Sequence, residues 1–322
     1  MIFFPLTTFT YNEHMNGLLV IDKPAGLTSH DVISRVRHTL HERRVGHTGT
    51  LDPFATGVLV VLVGRSTRLA QFFSGDDKQY EAIIRLGYAT TTGDRTGDPL
   101  SPPGQATRNW SQDEIESALA SLRGNIDQVP PMYSAKKVAG QKLYELARRG
   151  EEVERKPVHV CIHEFVALRP EGQLMKSNGD GTFDLRVRVE CSSGTYVRTL
   201  AEDFGSRLNV GAHLAELRRT RVGAFSIEVA STLDELRLRF AEEALGTVLV
   251  PPGAALSHLP LLHLSDNDAR KARHGMEVEV NNVDWADGAD VRVCDQQDTL
   301  IAVGRYDQNR RQLHPRVVID TA

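Results

Sequence analysis

GHTGTLDPFATG, residues 46–57, leads directly into the apolar run VLVVLV at residues 58–63. Three glycines and a proline disfavour a helix or strand in the first segment, so we interpret it as a loop. The second segment is bounded by Gly57 and Gly64 and is typical of a strand covered on both faces. Asp52 lies in the loop, and Pro53 biases its backbone toward extended angles. The two segments therefore predict a carboxylate on a loop that a buried strand supports.

Two side chains of this loop are candidates for chemistry. Asp52 could be a nucleophile, or it could be an ordinary turn aspartate that hydrogen-bonds its own backbone. His47 could stack on a base or transfer a proton near neutral pH, or it could simply bond a carbonyl. A hydrolase with a Ser/His/Asp triad is an alternative class, but the sequence contains no G-x-S-x-G motif.

The segments around the loop follow strand and helix patterns in turn. Apolar or alternating patterns predict strands at residues 17–21, 58–63, 80–86 and 183–189. Capping pairs and helical spacing predict helices that begin after Thr28 and Ser111, and a third over 197–208. The polar, glycine-rich residues 171–182 predict an exposed loop. These elements indicate a mixed α+β architecture.

The best candidate for a domain boundary is Pro251-Pro252-Gly253. Short strand-like runs follow it, at Val291–Val293 and Leu300–Val303, and they are typical of a small β-rich domain. We therefore expect a catalytic domain over 16–250 and a second domain over 253–322. Residues 1–15 are expected to be a poorly ordered extension.

Charge gives a divided indication about nucleic acid. The net charge of −4 argues weakly against nucleic-acid binding. Basic residues nevertheless outnumber acidic ones over 28–70, 136–157 and 186–221, and such islands can bind phosphates. Three ordinary solvated surfaces would give the same pattern.

Cysteine usage and hydropathy bear on the compartment. Cys161, Cys191 and Cys294 are isolated and odd in number, which fits a reducing compartment and offers no zinc site. No signal peptide is recognisable, and the longest strongly apolar run, Val58–Val63, is too short to span a bilayer. We therefore expect a cytoplasmic protein that does not associate with a membrane.

Two further segments carry candidate residues. Gly194-Thr195-Tyr196-Val197-Arg198 lies at a strand–turn–helix junction, where Tyr196 and Arg198 could both reach one cleft. An arginine beside a carboxylate would keep that carboxylate charged and orient it. Tyr80 begins an alternating strand and could stack on a base. A core tyrosine and a surface ion pair are the alternatives for these residues.

Together these segments resemble one family, the bacterial tRNA pseudouridine-55 synthases of the TruB type. The family pattern Gly-Leu-Leu-Val-Ile-Asp-Lys-Pro-x-Gly corresponds to residues 17–26, and Gly-His-Thr-Gly-x-Leu-Asp-Pro-x-Ala-x-Gly to residues 46–57. Four shorter motifs match in the same order, at residues 78–80, 131–137, 194–198 and 217–219. The likeness covers residues 17 to about 240.

The resemblance implies a fold and a set of catalytic roles. The fold would be the α+β pseudouridine synthase fold, with a mixed, largely antiparallel central sheet flanked by helices. Asp52 would be the nucleophile, acting on the ribose C1′ or on the uracil ring. Tyr80 would stack beside the uracil, and its hydroxyl could serve as a base in a route through a glycal. Arg198 would pair with Asp52.

The resemblance also implies substrate-binding roles. Tyr196 and Leu217 would line the uracil pocket, and His47 would fill the space that the flipped nucleotide vacates. Lys23 and Lys136 match family motifs and would have general RNA-binding or structural roles. Isomerisation of uridine involves no net redox change, so no cofactor and no metal are expected.

The expected partner is tRNA, bound through its T arm. The C-terminal part, from about 253 to 322, resembles the small RNA-binding β-barrel called PUA, which would contact the acceptor end or merely cap the catalytic domain. The sequence gives no indication of an obligate protein partner. Two features depart from the family: a longer N-terminal extension and a long segment at 171–182.

Two other functions remain open at this point. One is an RNA-binding module or tRNA-folding chaperone that has lost catalysis, which the presence of Asp52, Tyr80 and Arg198 disfavours. The other is a synthase that acts on a different RNA, which the sequence discriminates poorly.

Overall fold

The computed structural model describes residues 15–102, 110–134, 136–138, 140–151 and 153–320. The predicted N-terminal extension lies outside these residues except for its last position, and the motif at 131–137 is interrupted at 135.

Helices separate groups of one to four strands along the described chain. The strands are β1 (Gly17–Lys23), β2 (Val45–His47), β3 (Thr56–Val63), β4 (Lys78–Leu86), β5 (Gly124–Gln128), β6 (Lys137–Val138), β7 (Gln141–Lys142), β8 (Val158–Ala167), β9 (Met175–Ser177), β10 (Phe183–Cys191), β11 (Ala212–Val222), β12 (Phe225–Ser226), β13 (Leu249–Val250), β14 (Leu261–His263), β15 (Val278–Glu279), β16 (Asp290–Cys294), β17 (Leu300–Asp307) and β18 (Gln312–Val318). The helices are α1 (Ser29–Leu40), α2 (Gln112–Ala120), α3 (Leu143–Arg148), α4 (Val197–Arg207), α5 (Leu233–Ala241), α6 (Pro252–Ala255) and α7 (Asp266–Arg273).

Eleven of these strands form the main sheet, in the order β13-β1-β3-β11-β4-β10-β8-β5, with β2, β9 and β12 paired to β3, β10 and β11. All of its pairs are antiparallel except β3 with β11. The prediction of a mixed, largely antiparallel sheet is therefore confirmed. One parallel pair in the middle brings the end of the 46–57 segment beside β11.

The predicted helix starts are confirmed by their caps. Thr28 and Asp31 form a reciprocal capping box at the start of α1, and Ser111 and Glu114 form one at α2. The predicted third helix corresponds to α4, which packs against the main sheet through Leu200 and other buried residues of the core.

Three boundaries of the predicted loops were wrong. Thr56 and Gly57, at the end of the 46–57 segment, already belong to β3. Residues 45–47 form β2, because the start of the glycine-rich segment pairs with Val61–Val63 before it leaves the sheet. Residues 175–177 form β9, because this polar segment extends the pairing of β10 at Phe183–Leu185. Edge pairing of this kind rests on backbone hydrogen bonds, which leave no apolar pattern in the sequence.

A second sheet follows in the C-terminal part, with strand order β14-β16-β17-β18-β15. Its five strands curl into a half-barrel, which confirms the prediction of a small β-barrel-type fold in this part. The division at residues 251–253 stays a prediction. Val250 and Leu256 pack in one apolar cluster with Val303 and Ile319, so the two sheets share buried contacts.

No helix within the described ranges is long and apolar enough to cross a membrane.

Candidate active site

The segment that carries Asp52 is fixed to the body of the protein on both sides of that residue. The Leu51 amide donates to the Ser29 hydroxyl at 2.8 Å, at the start of α1. Phe54 and Ala55 are buried in the main core, with 6% and 0% exposure. A loop anchored by its own neighbours holds the carboxylate in a defined position.

Lys23 lies beneath this segment and has no exposed surface. Its ammonium donates to the carbonyls of Leu27 at 2.7 Å, Pro24 at 3.0 Å and Pro53 at 3.3 Å. Burial lowers the pKa of Lys23 to about 8, against the opposing attraction of Asp52. The family motif implied either an RNA-binding or a structural role for Lys23. Because the ammonium is enclosed, the geometry favours the structural role.

Asp52 and Arg198 meet although 146 residues separate them. Arg198 Nε lies 2.9 Å from Asp52 Oδ2, and Arg198 Nη2 donates to Asp52 Oδ1 at 3.3 Å. The other guanidinium contacts are to the carbonyls of Thr92 at 2.9 Å and Tyr133 at 2.7 Å, and to the Asp94 carboxylate at 3.9 Å. Two contacts to one carboxylate fix its plane as well as its position.

The two partners differ in exposure. The side chain of Arg198 is 6% exposed and that of Asp52 is 33% exposed. Burial raises the pKa of the Asp52 carboxyl, the positive charge of Arg198 opposes this rise, and Asp94 adds to it. A carboxylate that is held but still open on one side can accept a substrate.

Tyr80 lies directly opposite Arg219 in the pairing of β4 with β11. Tyr80 is 7% exposed and Arg219 is 2% exposed. Burial raises the pKa of the Tyr80 hydroxyl, and the charge of Arg219, with a hydrogen bond from it, opposes the rise. A tyrosine in this setting is neutral at physiological pH and has a cation beside it.

These residues share one cavity of about 280 Å³. Asp52, Tyr80, Tyr196, Arg198 and Leu217 all line it, so five of the eight predicted site residues come together. The rest of the wall is formed by the turn at residues 192–195, by residues 48–51, and by Ser74, Lys78, Ser134, Val197 and Arg219. A volume of this order accommodates a single base.

The buried Gln128 holds the backbone of Tyr196 at the N-terminus of α4. The Tyr196 amide donates to Gln128 Oε1 at 3.0 Å, and Gln128 Nε2 donates to the Tyr196 carbonyl at 3.3 Å. This paired contact fixes the backbone just before the helix that carries Arg198.

Lys23, His47 and Lys136 do not line this cavity. His47 ends β2, and its Nδ1 is buried with no hydrogen-bond partner among the residues that the structure describes. Burial, followed by the charge of Arg219, lowers the pKa of His47. Lys136 accepts a backbone hydrogen bond from Leu143 at 2.9 Å, which ties it to the start of α3.

Sequence reasoning assigned no role to Asp94, Gln128 or Arg219. Arg219 belongs to the Leu-Arg-Arg stretch at 217–219, which was recognised only as a matching motif. Asp94 follows three threonines and a glycine, and nothing in this local pattern shows that the chain folds it toward Arg198.

A second cavity of about 340 Å³ lies beside the first and shares Leu217 with it. Its charged lining residues are Glu81, Arg95, Arg186, Glu216 and Arg218. None of the predicted catalytic residues lines it, so we place the chemistry in the smaller cavity.

Comparison with known proteins identifies the family that the chain matches. Three family models match consecutive parts of the chain: TruB family pseudouridylate synthase (N terminal domain) at 37–197, tRNA pseudouridylate synthase B C-terminal domain at 198–257, and Pseudouridine synthase II TruB, C-terminal, at 260–319.

Curated relatives resemble the chain over most of its length. The chain is 47% identical over 264 residues to tRNA pseudouridine synthase B of Thermobifida fusca (strain YX), covering 82% of the chain and 86% of that protein. It is 45% identical over 261 residues to tRNA pseudouridine synthase B of Geobacillus thermodenitrificans (strain NG80-2), covering 81% and 85%.

Solved structures share the fold. An H/ACA RNP bound to a substrate RNA containing 2′-deoxyuridine has a chain with a TM-score of 0.70 and 24% identity, covering 94% of this chain and 85% of that one. The archaeal box H/ACA sRNP Nop10–Cbf5 complex has a chain with a TM-score of 0.68 and 25% identity, covering 94% and 86%.

Proposed function

The chain belongs to the TruB family of pseudouridylate synthases, and from this premise we propose that it converts uridine 55, in the T arm of tRNA, to pseudouridine, with Asp52 as the nucleophile. The coarser activity, isomerisation of uridine in tRNA, follows from membership in the family of tRNA pseudouridine synthases B.

One observation carries the assignment of Asp52. Its carboxylate is held by two contacts with Arg198 at 2.9 and 3.3 Å, while the side chain remains 33% exposed at the cavity. Burial raises the pKa of the Asp52 carboxyl, and the positive charge of Arg198 opposes this rise and so favours the ionised form. A charged, oriented and accessible carboxylate is what nucleophilic catalysis requires.

The reaction itself is an isomerisation. The N1–C1′ bond of the uridine breaks, the detached uracil turns, and a C5–C1′ bond forms. The hydrogen on C5 leaves as a proton, and N1 gains a proton, so atoms and electrons balance without an external reactant. Asp52 would act on C1′ or on the ring, or the reaction would pass through a glycal.

Tyr80 and Leu217 would hold the uracil during this turn. Tyr80 would stack on the ring, and Leu217 would form part of the apolar wall. In a glycal route the Tyr80 hydroxyl would serve as the base. Tyr196, fixed by Gln128, would close the wall beside Arg198.

Residues outside the cavity would serve the RNA indirectly. A uridine inside the folded T arm must flip out of the stack to reach Asp52, and this costs about 2–3 kcal/mol. His47 would take the vacated space, since it lies near the cavity without lining it. Lys136 would help to bind the RNA, and Lys23 would support the Asp52 loop.

We also propose a role for the C-terminal half-barrel. By resemblance to PUA domains, residues 253–322 would contact the acceptor end of the tRNA. A truncated T-arm stem-loop would then bind more weakly than whole tRNA but react at the same site.

An RNA-binding protein without catalysis is the main alternative from another class. The paired Asp52 and Arg198 in a cavity disfavour it, because a carboxylate facing RNA phosphates weakens binding. A synthase with another RNA target is the second alternative, and the choice of substrate in the assay distinguishes it.

The deciding experiment measures tritium release from a T-arm stem-loop labelled at uridine C5. Formation of the C5–C1′ bond frees this hydrogen, so the signal reports isomerisation directly. We expect release with the wild type and a loss of at least about 10³-fold with Asp52→Asn, because the amide is a poor nucleophile. Binding of the stem-loop should persist in the variant, which filter binding checks.

Two results would contradict the proposal. Wild-type turnover by Asp52→Asn would exclude Asp52 as the nucleophile. No release by the wild type from either the stem-loop or whole tRNA would favour the binding protein or another RNA substrate.

A further inference from the structure

Arg219 is the most enclosed cation in the wall of the active-site cavity, at 2% exposure. Its Nε donates to the Val58 carbonyl at 2.7 Å, where the Asp52 segment has just entered β3. Its Nη2 and Nη1 donate to the carbonyls of Gly49 at 3.1 Å and Thr50 at 3.4 Å, before Asp52. The guanidinium therefore holds the Asp52 segment on both sides of the nucleophile.

This arrangement depends on the shape of the side chain. The three nitrogens of a guanidinium lie in one plane and their N–H bonds point in different directions, so one residue can donate to three carbonyls at once. A lysine has one nitrogen on a flexible stem and cannot reproduce the set.

The backbone of Arg219 is fixed as firmly as its side chain. It pairs with Gly57 where β11 runs parallel to β3. Gly57 has φ of +101°, and a Cβ there would lie 2.1 Å from the Arg219 carbonyl oxygen, so only glycine permits this approach.

On the other side of β11, in its pairing with β4, Tyr80 lies directly opposite Arg219. The same charge that holds the Asp52 segment therefore lies beside the hydroxyl of the proposed base. That charge lowers the pKa of Tyr80 against the larger effect of burial. Burial lowers the pKa values of His47 and Lys78, in β2 and at the start of β4, and the charge of Arg219 lowers them further.

We propose that Arg219 is a positioning residue for the reaction: it fixes the Asp52 segment relative to the Tyr80 ring, so that the nucleophile and the base reach one uracil together. The inference rests on the proposed function of Asp52 and Tyr80. Arg198 orients the carboxylate itself, whereas Arg219 orients the backbone on which that carboxylate is carried.

The test compares Arg219→Lys, Arg219→Met and Arg85→Met by single-turnover tritium release from the C5-labelled stem-loop. Arg85 is the matched control, because it lies on β4 and pairs with Asp184 at 2.7 and 2.8 Å, away from the cavity. The rate constant and the amplitude are recorded separately, and filter binding gives the dissociation constant.

We expect Arg219→Lys to reach full amplitude with a rate constant about 10- to 100-fold lower, since small misplacements of reacting groups have effects of this size. Its dissociation constant should change by less than about threefold, because Arg219 is buried and its guanidinium binds the Asp52 segment. Arg85→Met should keep the wild-type rate constant within about twofold.

The pH profile gives an independent readout. If Tyr80 acts as the base, loss of the positive charge in Arg219→Met raises its pKa, so the rise in rate with pH moves to higher pH. Arg219→Lys keeps the charge and should leave this rise in place. If Arg219→Met does not fold, the rate constant and amplitude of Arg219→Lys decide the question alone.

The possible failures are distinct. A wild-type rate constant with reduced amplitude in Arg219→Lys would mean that Arg219 only stabilises the fold, and the inference would be wrong. No release by the wild type would instead contradict the proposed function, before any variant is compared.

Discussion

Two arginines in different parts of the molecule each face a pair of aspartates. In the main sheet, Arg198 lies 2.9 Å from Asp52 and 3.9 Å from Asp94. In the C-terminal half-barrel, Arg273 lies 2.8 Å from Asp320 and 3.3 Å from Asp295. The residue types and the contact distances are similar, but Arg198 and Asp52 line the active-site cavity and none of the three C-terminal residues does.

The difference lies in what else the carboxylates bind. Asp295 accepts hydrogen bonds from the amides of Gln297 at 3.0 Å and Thr299 at 2.9 Å, so its oxygens stabilise a turn. Asp52 accepts from Arg198 and otherwise faces the cavity. An ion pair therefore indicates a reactive site where one side of the carboxylate is open to a cavity. It indicates a structural site where backbone amides hydrogen-bond the carboxylate oxygens.

The strongest way to test this comparison is to remove Arg198. Arg198→Met should reduce the single-turnover rate of tritium release by about 10²–10³-fold, because Asp52 loses both its orientation and a stabilising charge. If Asp52 is the nucleophile, as proposed, its carboxyl must be ionised, so activity is lost as pH falls through its pKa. Without Arg198 that pKa rises further, so the loss should begin at a higher pH than in the wild type.

Arg198→Lys is the matched control for this prediction. It keeps the positive charge but cannot make two contacts with one carboxylate, so the rate should fall while the acid limb moves less than in Arg198→Met. Identical acid limbs in the wild type and Arg198→Met would show that Asp52 does not control the profile.

The sequence predicted the Asp52 segment well because its glycines, its proline and the following apolar run are local signals. Pairing of Asp52 with Arg198 followed only from the family resemblance, since no local pattern connects positions 146 residues apart. The contacts of Arg219 with the Asp52 segment were missed for a different reason. Strand β11 has irregular register beside β4 between Leu214 and Glu216 and again between Arg219 and Arg221, so simple alternation does not show which side chains face inward.

Lys23 tests the support beneath Asp52 through the pH dependence of stability. Its pKa falls from 10.5 to about 8 on folding, so between these pH values the unfolded chain binds more protons than the native one. Burial of the charged Lys23 should therefore lower the free energy of unfolding by its full amount below pH 8. This destabilisation should disappear as pH rises toward 10.5. The full change is about 3 kcal/mol, an order-of-magnitude figure from the size of the shift.

The measurement is urea unfolding of the wild type and Lys23→Met at several pH values from 7 to 10. As pH rises from 7 to 10, the free energy of unfolding of the wild type should increase relative to that of Lys23→Met. A difference independent of pH would mean that Lys23 keeps an ordinary pKa in the folded state.

The smallest effect is expected at the structural counterpart, Arg273. Its side chain is 20% exposed and bridges Asp295 and Asp320, so Arg273→Met should lower the free energy of unfolding by about 1–2 kcal/mol. The turn at Asp295 keeps its two amide hydrogen bonds, which limits the loss. The rate of tritium release from the stem-loop should remain at the wild-type value, because Arg273 has no contact with the cavity. A large loss of that rate with little change in stability would erase the distinction between the two arginines, since the C-terminal pair would then also act in the reaction.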